Sequence, residues 1–158
     1  MSAKDQILKA IESTEGSYHR LILLVGAQGS GKTSIMQEVS TALDVPLTNI
    51  NLELSKKLMS ISERKRPLEA RTVLSDILQE MKGGIALLDN IELLFDRNLK
   101  LDSLRLLQTL SRNKTIVSTW NGVYEKNQLS YASPGHPEYR REDATDTIII
   151  MAAEKAIE

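Results

Sequence analysis

Apolar positions along this chain change period repeatedly, and each change marks an element. Ile7, Leu8 and Ile11 recur at helical spacing in a polar stretch, predicting a short amphipathic helix over 3–13 that Gly16 ends. The unbroken run Leu21, Ile22, Leu23, Leu24, Val25 predicts a strand buried on both faces over about 20–25. Helical spacing returns with Ile35, Met36, Val39, Ala42 and Leu43, and Pro46 closes that segment. Leu47 to Leu54 alternates well enough to predict a second strand, and polar, basic residues 55–66 predict a loop. Pro67 is suited to a first helical turn, Leu74, Ile77, Leu78 and Met81 give that helix its apolar face, and Gly83-Gly84 stops it.

Further strands are predicted at Ile85–Leu88, Thr115–Thr119 and Ile148–Met151, the last followed by a helical stub. Leu101, Leu104, Leu107 and Leu110 form a helical stripe between the first two. Asn121-Gly122 and Ser133-Pro134-Gly135 are turn signals, and 123–131 has the pattern of a small hairpin. Strands alternating with helices predict an α/β fold, a mainly parallel sheet with helices on both faces. With no repeat, linker or second core, 1–158 is expected to be a single domain.

Composition narrows the partners more than the fold. Twenty Lys and Arg stand against 21 Asp and Glu, a balance that argues against a surface built for non-specific nucleic-acid binding. DNA contact is therefore not indicated, although Lys56, Lys57, Arg64, Lys65 and Arg66 form a local basic stretch, diluted by Glu53, Glu63 and Glu69. No cysteine is present, which excludes disulfides, thiolate metal sites and cysteine nucleophiles. His19 and His136 are isolated and suggest no zinc site. The charged N-terminus does not read as a signal peptide and no apolar run reaches membrane-spanning length, so a cytoplasmic location is expected.

The chemistry concentrates at residues 26–33. Gly26, Ala27, Gln28, Gly29, Ser30, Gly31, Lys32 and Thr33 fit G-x-x-x-x-G-K-[ST] between a predicted strand and a predicted helix, the context a P-loop requires. The glycines let successive N–H groups converge on an anion, and the following helix adds the positive end of its dipole. Lys32 is expected at the β- and γ-phosphates of ATP and Thr33 on Mg²⁺. Asp89, ending an apolar strand, is the expected acidic partner of the metal, through water or through the Thr33 hydroxyl. The position directly after it, where many such ATPases carry the glutamate that polarises water, is Asn90. Glu92 is the candidate surrogate; the alternative is that it lies on a solvated turn and hydrolysis is slow. At the next strand end Asn121 or Thr119 is a candidate γ-phosphate sensor. Arg112, and less so Arg105, is a candidate finger toward a neighbouring subunit's phosphate. Trp120, the only Trp, is either a stacking platform for a base or a core residue.

Three segments, Asn51-Leu52-Glu53-Leu54-Ser55-Lys56, Arg66-Pro67-Leu68 and Leu87-Leu88-Asp89-Asn90-Ile91-Glu92, resemble those of BrxF, the family of small P-loop proteins of type 3 BREX phage-defence systems. Asp102 to Gln108, Ser111-Arg112-Asn113, Trp120-Asn121-Gly122 and Tyr131 to Tyr139 extend the match over roughly residues 20–140. The resemblance implies a bacterial cytoplasmic ATP-binding component. Its implied partners are other BREX proteins: a larger ATPase, a methyltransferase, a phosphatase-like protein and a helicase. The core layout is also similar to AAA+ ATPases, without room for their helical lid, so a ring mechanism does not carry over whole.

Three functions compete. The first is a nucleotide-dependent switch or weak ATPase that assembles with itself, as a homo-oligomer, or with partners. The second is a small-molecule kinase, against which stands the scarcity of arginines after Asn121, where only Arg140 and Arg141 lie close together. The third is an interaction subunit whose nucleotide is structural.

Overall fold

A computed structural model describes residues 1–132 and 135–152. Five parallel strands form its sheet in the order β2–β3–β4–β1–β7. They are β1 (Leu21–Gly26), β2 (Leu47–Asn49), β3 (Ile85–Asp89), β4 (Thr115–Glu125) and β7 (Thr147–Met151). Alternate residues of β1 feed two cores. Leu21, Leu23 and Val25 face one cluster, and Ile22 and Leu24 face the other. On the second side lie helices α1 (Ala3–Ser13) and α2 (Lys32–Leu43), through Ile7, Met36 and Val39. On the first lie α3 (Ile50–Leu58), α4 (Arg66–Glu80) and α5 (Ser103–Leu110). Because both sheet faces are covered, the strands lack the polar alternation of a half-exposed sheet.

Beyond residue 121 the chain leaves the parallel sheet. β4 runs on through Gly122–Glu125 and pairs antiparallel with β5 (Gln128–Tyr131), which pairs with β6 (Arg140–Asp143). Lys126 and Asn127, both at positive φ, make the two-residue turn. This three-stranded flap stands at the C-terminal edge of the sheet.

Three sequence expectations are corrected. Residues 47–54 are not one strand: β2 stops at Asn49, whose side chain accepts the Leu52 N–H and starts α3. Ile50, Leu54 and Leu58 are all buried at helical spacing, and the alternation of leucines and asparagines masked that period. The basic stretch is accordingly not a loop throughout. Lys56 and Lys57 lie on α3, and Arg66 opens α4 with its guanidinium donating to the carbonyls of Leu58 and Ile61. Asn121-Gly122 is not a turn but mid-strand. A Cβ on Gly122 would collide with the Ser130 carbonyl of β5, so glycine is required by close approach of two backbones. Ser133-Pro134 and the stub after Met151, apart from Ala152, lie outside the described residues.

Candidate nucleotide site

The loop between β1 and α2 lies at the C-terminal edge of the parallel strands, where open α/β sheets bind ligands. Gly29 and Gly31 hold φ of 81° and 88°, a conformation that L side chains rarely adopt. A Cβ on Gly26 would crowd the Ser30 hydroxyl and the Ala152 methyl, so the Ser30 side chain would have to move. Lys32 is buried; its Nζ donates to the Gly26 carbonyl at 2.9 Å and the Ala27 carbonyl at 2.7 Å. Burial lowers its pKa from the ordinary lysine value, while the charges of Asp89 and Glu92 pull the other way. An ammonium held over the loop between two carboxylates is suited to meeting a phosphate oxygen.

Asp89 is buried at the end of β3 and fully partnered. One carboxylate oxygen accepts the Thr33 hydroxyl at 2.8 Å; the other accepts the Thr119 hydroxyl at 3.0 Å and the Asn90 N–H at 2.9 Å. Thr33 and Asp89, a hydroxyl and a carboxylate in direct contact, are oxygen donors of the kind Mg²⁺ prefers, and the set fits a Mg²⁺-nucleotide.

The next residue reverses the chain. Asn90 sits at φ 52°, left-handed, a region that Asn tolerates better than most residues. Its carbonyl accepts the Asn51 N–H at 2.8 Å. The reversal brings Glu92, first residue of a 3₁₀ turn ending at Phe95, back over the site. Its two carboxylate oxygens accept side-chain amide donors from Asn51 and Asn121, each at 2.9 Å, and the Asn51 side-chain Oδ1 accepts the Leu93 N–H at 2.7 Å. Lys32, Thr33, Asp89, Glu92, Thr119 and Asn121 all border one cavity of about 340 Å³.

Asn51 joins the site from a segment, 47–54, whose alternation predicts a strand and gives this residue no functional mark. The signal was present: Asn49 as N-cap, followed by Ile50, Leu54 and Leu58 at helical spacing. Arg112 is not brought to this site. It follows α5 at the N-terminal edge of the sheet, where its guanidinium covers the Tyr18 ring at 4.6 Å and contacts His19. A six-residue strand at about 3.3 Å per residue puts on the order of 20 Å between the two edges. Trp120 is buried, its indole N–H donating to the Ser130 carbonyl, so it is a core residue and no platform for a base.

The profile of the ATPase family associated with various cellular activities (AAA) matches residues 22–156. The chain belongs to the AAA family. Among solved structures, this AAA domain is similar to PCH-2 of C. elegans, with a TM-score of 0.51 and 18% identity over 96% of this chain. It is also similar to AMPPCP-bound DnaA of Aquifex aeolicus, with a TM-score of 0.44 and 15% identity over 84% of this chain. It spans 42% of the length of each. The first likeness is one of fold: an α/β P-loop architecture with a mostly parallel sheet. Family membership makes the 26–33 loop part of a nucleotide-binding domain. Among the described residues no helix is long and apolar enough to cross a membrane.

Proposed function

We propose that this AAA domain, one unit over 1–158, is a nucleotide-dependent switch with slow ATPase activity. In this reading it is cytoplasmic and serves a bacterial phage-defence system of the BREX type, through self-assembly or assembly with other proteins of that system. The clamp on Glu92 is the observation that carries the reading. A carboxylate facing the same cavity as Lys32, Thr33 and Asp89 is held by two amides from two different elements. Bound Mg-ATP supplies the electrophilic phosphorus. Lys32 and the loop N–H groups bind its phosphates, and Thr33 and Asp89 hold the ion. Glu92 orients the water and accepts its proton. Each of its oxygens accepts one amide and keeps a second lone pair for a water. Hydrolysis then depends on Asn51 and Asn121, which fix the direction of the carboxylate, and slow turnover is supported by Asn90, which cannot accept a proton, standing directly after Asp89.

The BREX assignment is supported by the sequence segments that resemble BrxF. A DNA role is not included, because three of five residues in the basic stretch are internally engaged. Lys57 lies 3.2 Å from Glu80, Lys56 lies 3.8 Å from Glu53, and Arg66 is bound to carbonyls. Arg112 keeps only the part of a finger toward a second copy, which its exposed place on the opposite edge permits.

Light scattering without nucleotide, with ADP and with Mg-ATP tests this reading. Mg-ATP is expected to enlarge the wild-type species but not Lys32→Ala, and Glu92→Gln is expected to lock the larger form. Equal masses in all three states would remove the switch.

A further inference from the structure

A second cavity, of about 300 Å³, adjoins the nucleotide cavity at Glu92. It lies between Ala27 and Gln28 of the loop and the flap, and Gln28, Glu92 and Asn121 form its shared wall with the nucleotide cavity. Its volume is at the lower end of the roughly 300–1,000 Å³ of small-molecule sites.

We propose that this cavity is a second ligand site, for a small organic cation: an alkylammonium or guanidinium on a short aliphatic body. Two carboxylates, Glu92 and Glu138, border it, and no Lys or Arg is among its described lining residues. The His136 Nδ1 is engaged within the same segment, accepting the Glu138 backbone N–H at 3.0 Å. The same negative field acts on Tyr131, whose hydroxyl is pushed upward by burial and further by the charges of Glu92 and Glu138, with Arg140 opposing. Ala27, Val123 and Ala132 offer the aliphatic body an apolar wall, and Val123 is an otherwise exposed apolar side chain. A cation here would bridge the loop, the flap and Glu92.

The consequence for nucleotide rests on the proposed function. A γ-phosphate across Glu92 adds negative charge to the shared wall, so cation and ATP each tighten the other by the same factor. Binding of the cation alone does not depend on that reading.

Calorimetric titration of agmatine into the nucleotide-free protein tests the site. Wild type is expected to bind one equivalent more tightly than about 1 mM. Glu138→Gln and the cavity-filling Val123→Trp should each weaken binding at least about tenfold, a change of ~1.4 kcal/mol. Circular dichroism checks that both variants remain folded. Lys32→Ala should lose ATP yet bind agmatine at least as tightly as wild type, because it removes a positive charge coupled to Glu92, so failure of the nucleotide reading and failure of this one stay distinguishable. Three results would overturn the proposal: no saturable binding, unchanged affinity in both cavity variants, or equal binding of butanediol and of agmatine.

Discussion

Asn51 ties the start of α3 to the turn that carries Glu92, the proposed water-activating residue, and it does so with both ends of its amide. Its Nδ2 holds Glu92 and its Oδ1 holds the Leu93 N–H, so an alanine there frees a carboxylate and orphans a backbone donor. Asn51→Ala is expected to lower single-turnover ATP hydrolysis about tenfold, near the ~1.4 kcal/mol that one charge-assisted hydrogen bond is worth. ATP affinity should stay within about twofold. Urea denaturation should show a loss of about 1–2 kcal/mol.

Glu142 of β6 carries a different prediction. One of its carboxylate oxygens is buried without a partner among the described residues. Burial first, and the charge and hydrogen bonding of Asp102 after it, raise its pKa above the ordinary glutamate value, against the pull of Arg140. Folding therefore favours the protonated acid. Its ionisation costs stability nothing below the unfolded value, near ~4.3, and progressively more as pH rises through the folded value. Glu142→Gln should melt at a higher temperature than wild type at pH 7.5, and the gap should close by about pH 4.

At the scale of elements, aromatic packing joins the flap to the Glu92 turn. Phe95 stacks on Tyr131 of β5 with ring centres 3.4 Å apart, and both meet Trp120 of β4 edge-on. The chain's only Phe and only Trp are thus spent on joining the 3₁₀ turn to the hairpin. Gly122 permits that hairpin, since any side chain there meets the Ser130 carbonyl. Gly122→Ala is expected to cost about 1–3 kcal/mol in urea denaturation, as overpacking does. It should also slow hydrolysis through displacement of Asn121.

How much of this was legible varies by element, for identifiable reasons. β1, α2, β3 and α5 carry strong periodicity or a motif, and they lie within a few residues of their expected places. α3 was hidden because Asn49 ends a strand and caps a helix at once, so two periods overlap in eight residues. β6, Arg-Arg-Glu-Asp, has no apolar pattern; it is strand only because β5 supplies a ladder.

Across the whole molecule, a ligand on the 26–33 loop bridges β1 and α2, and through Thr33 and Asp89 it reaches β3. Mg-ATP at 100 times its dissociation constant should stabilise the fold by ~2.7 kcal/mol. At about 2–4 °C per kcal/mol for a domain of this size, the melting temperature should rise by roughly 5–10 °C. Lys32→Ala should abolish the rise, measured by scanning calorimetry.

The sequence by itself determined what is local. A P-loop needs glycines, a lysine and a hydroxyl at fixed spacing; a buried strand needs an apolar run. The loop and Asp89 follow from those patterns. Contacts between residues 41 and 29 positions apart, Asn51 with Glu92 and Asn121 with Glu92, have no such period. They exist because β3 lies between β2 and β4, and because Asn90 turns the chain back at a positive φ. Only the tertiary structure decided that Glu92 faces the nucleotide cavity, that Arg112 lies on the opposite edge, and that an acidic cavity adjoins the loop. Side chains remote in sequence become neighbours through strand order, which hydrophobic periodicity does not encode.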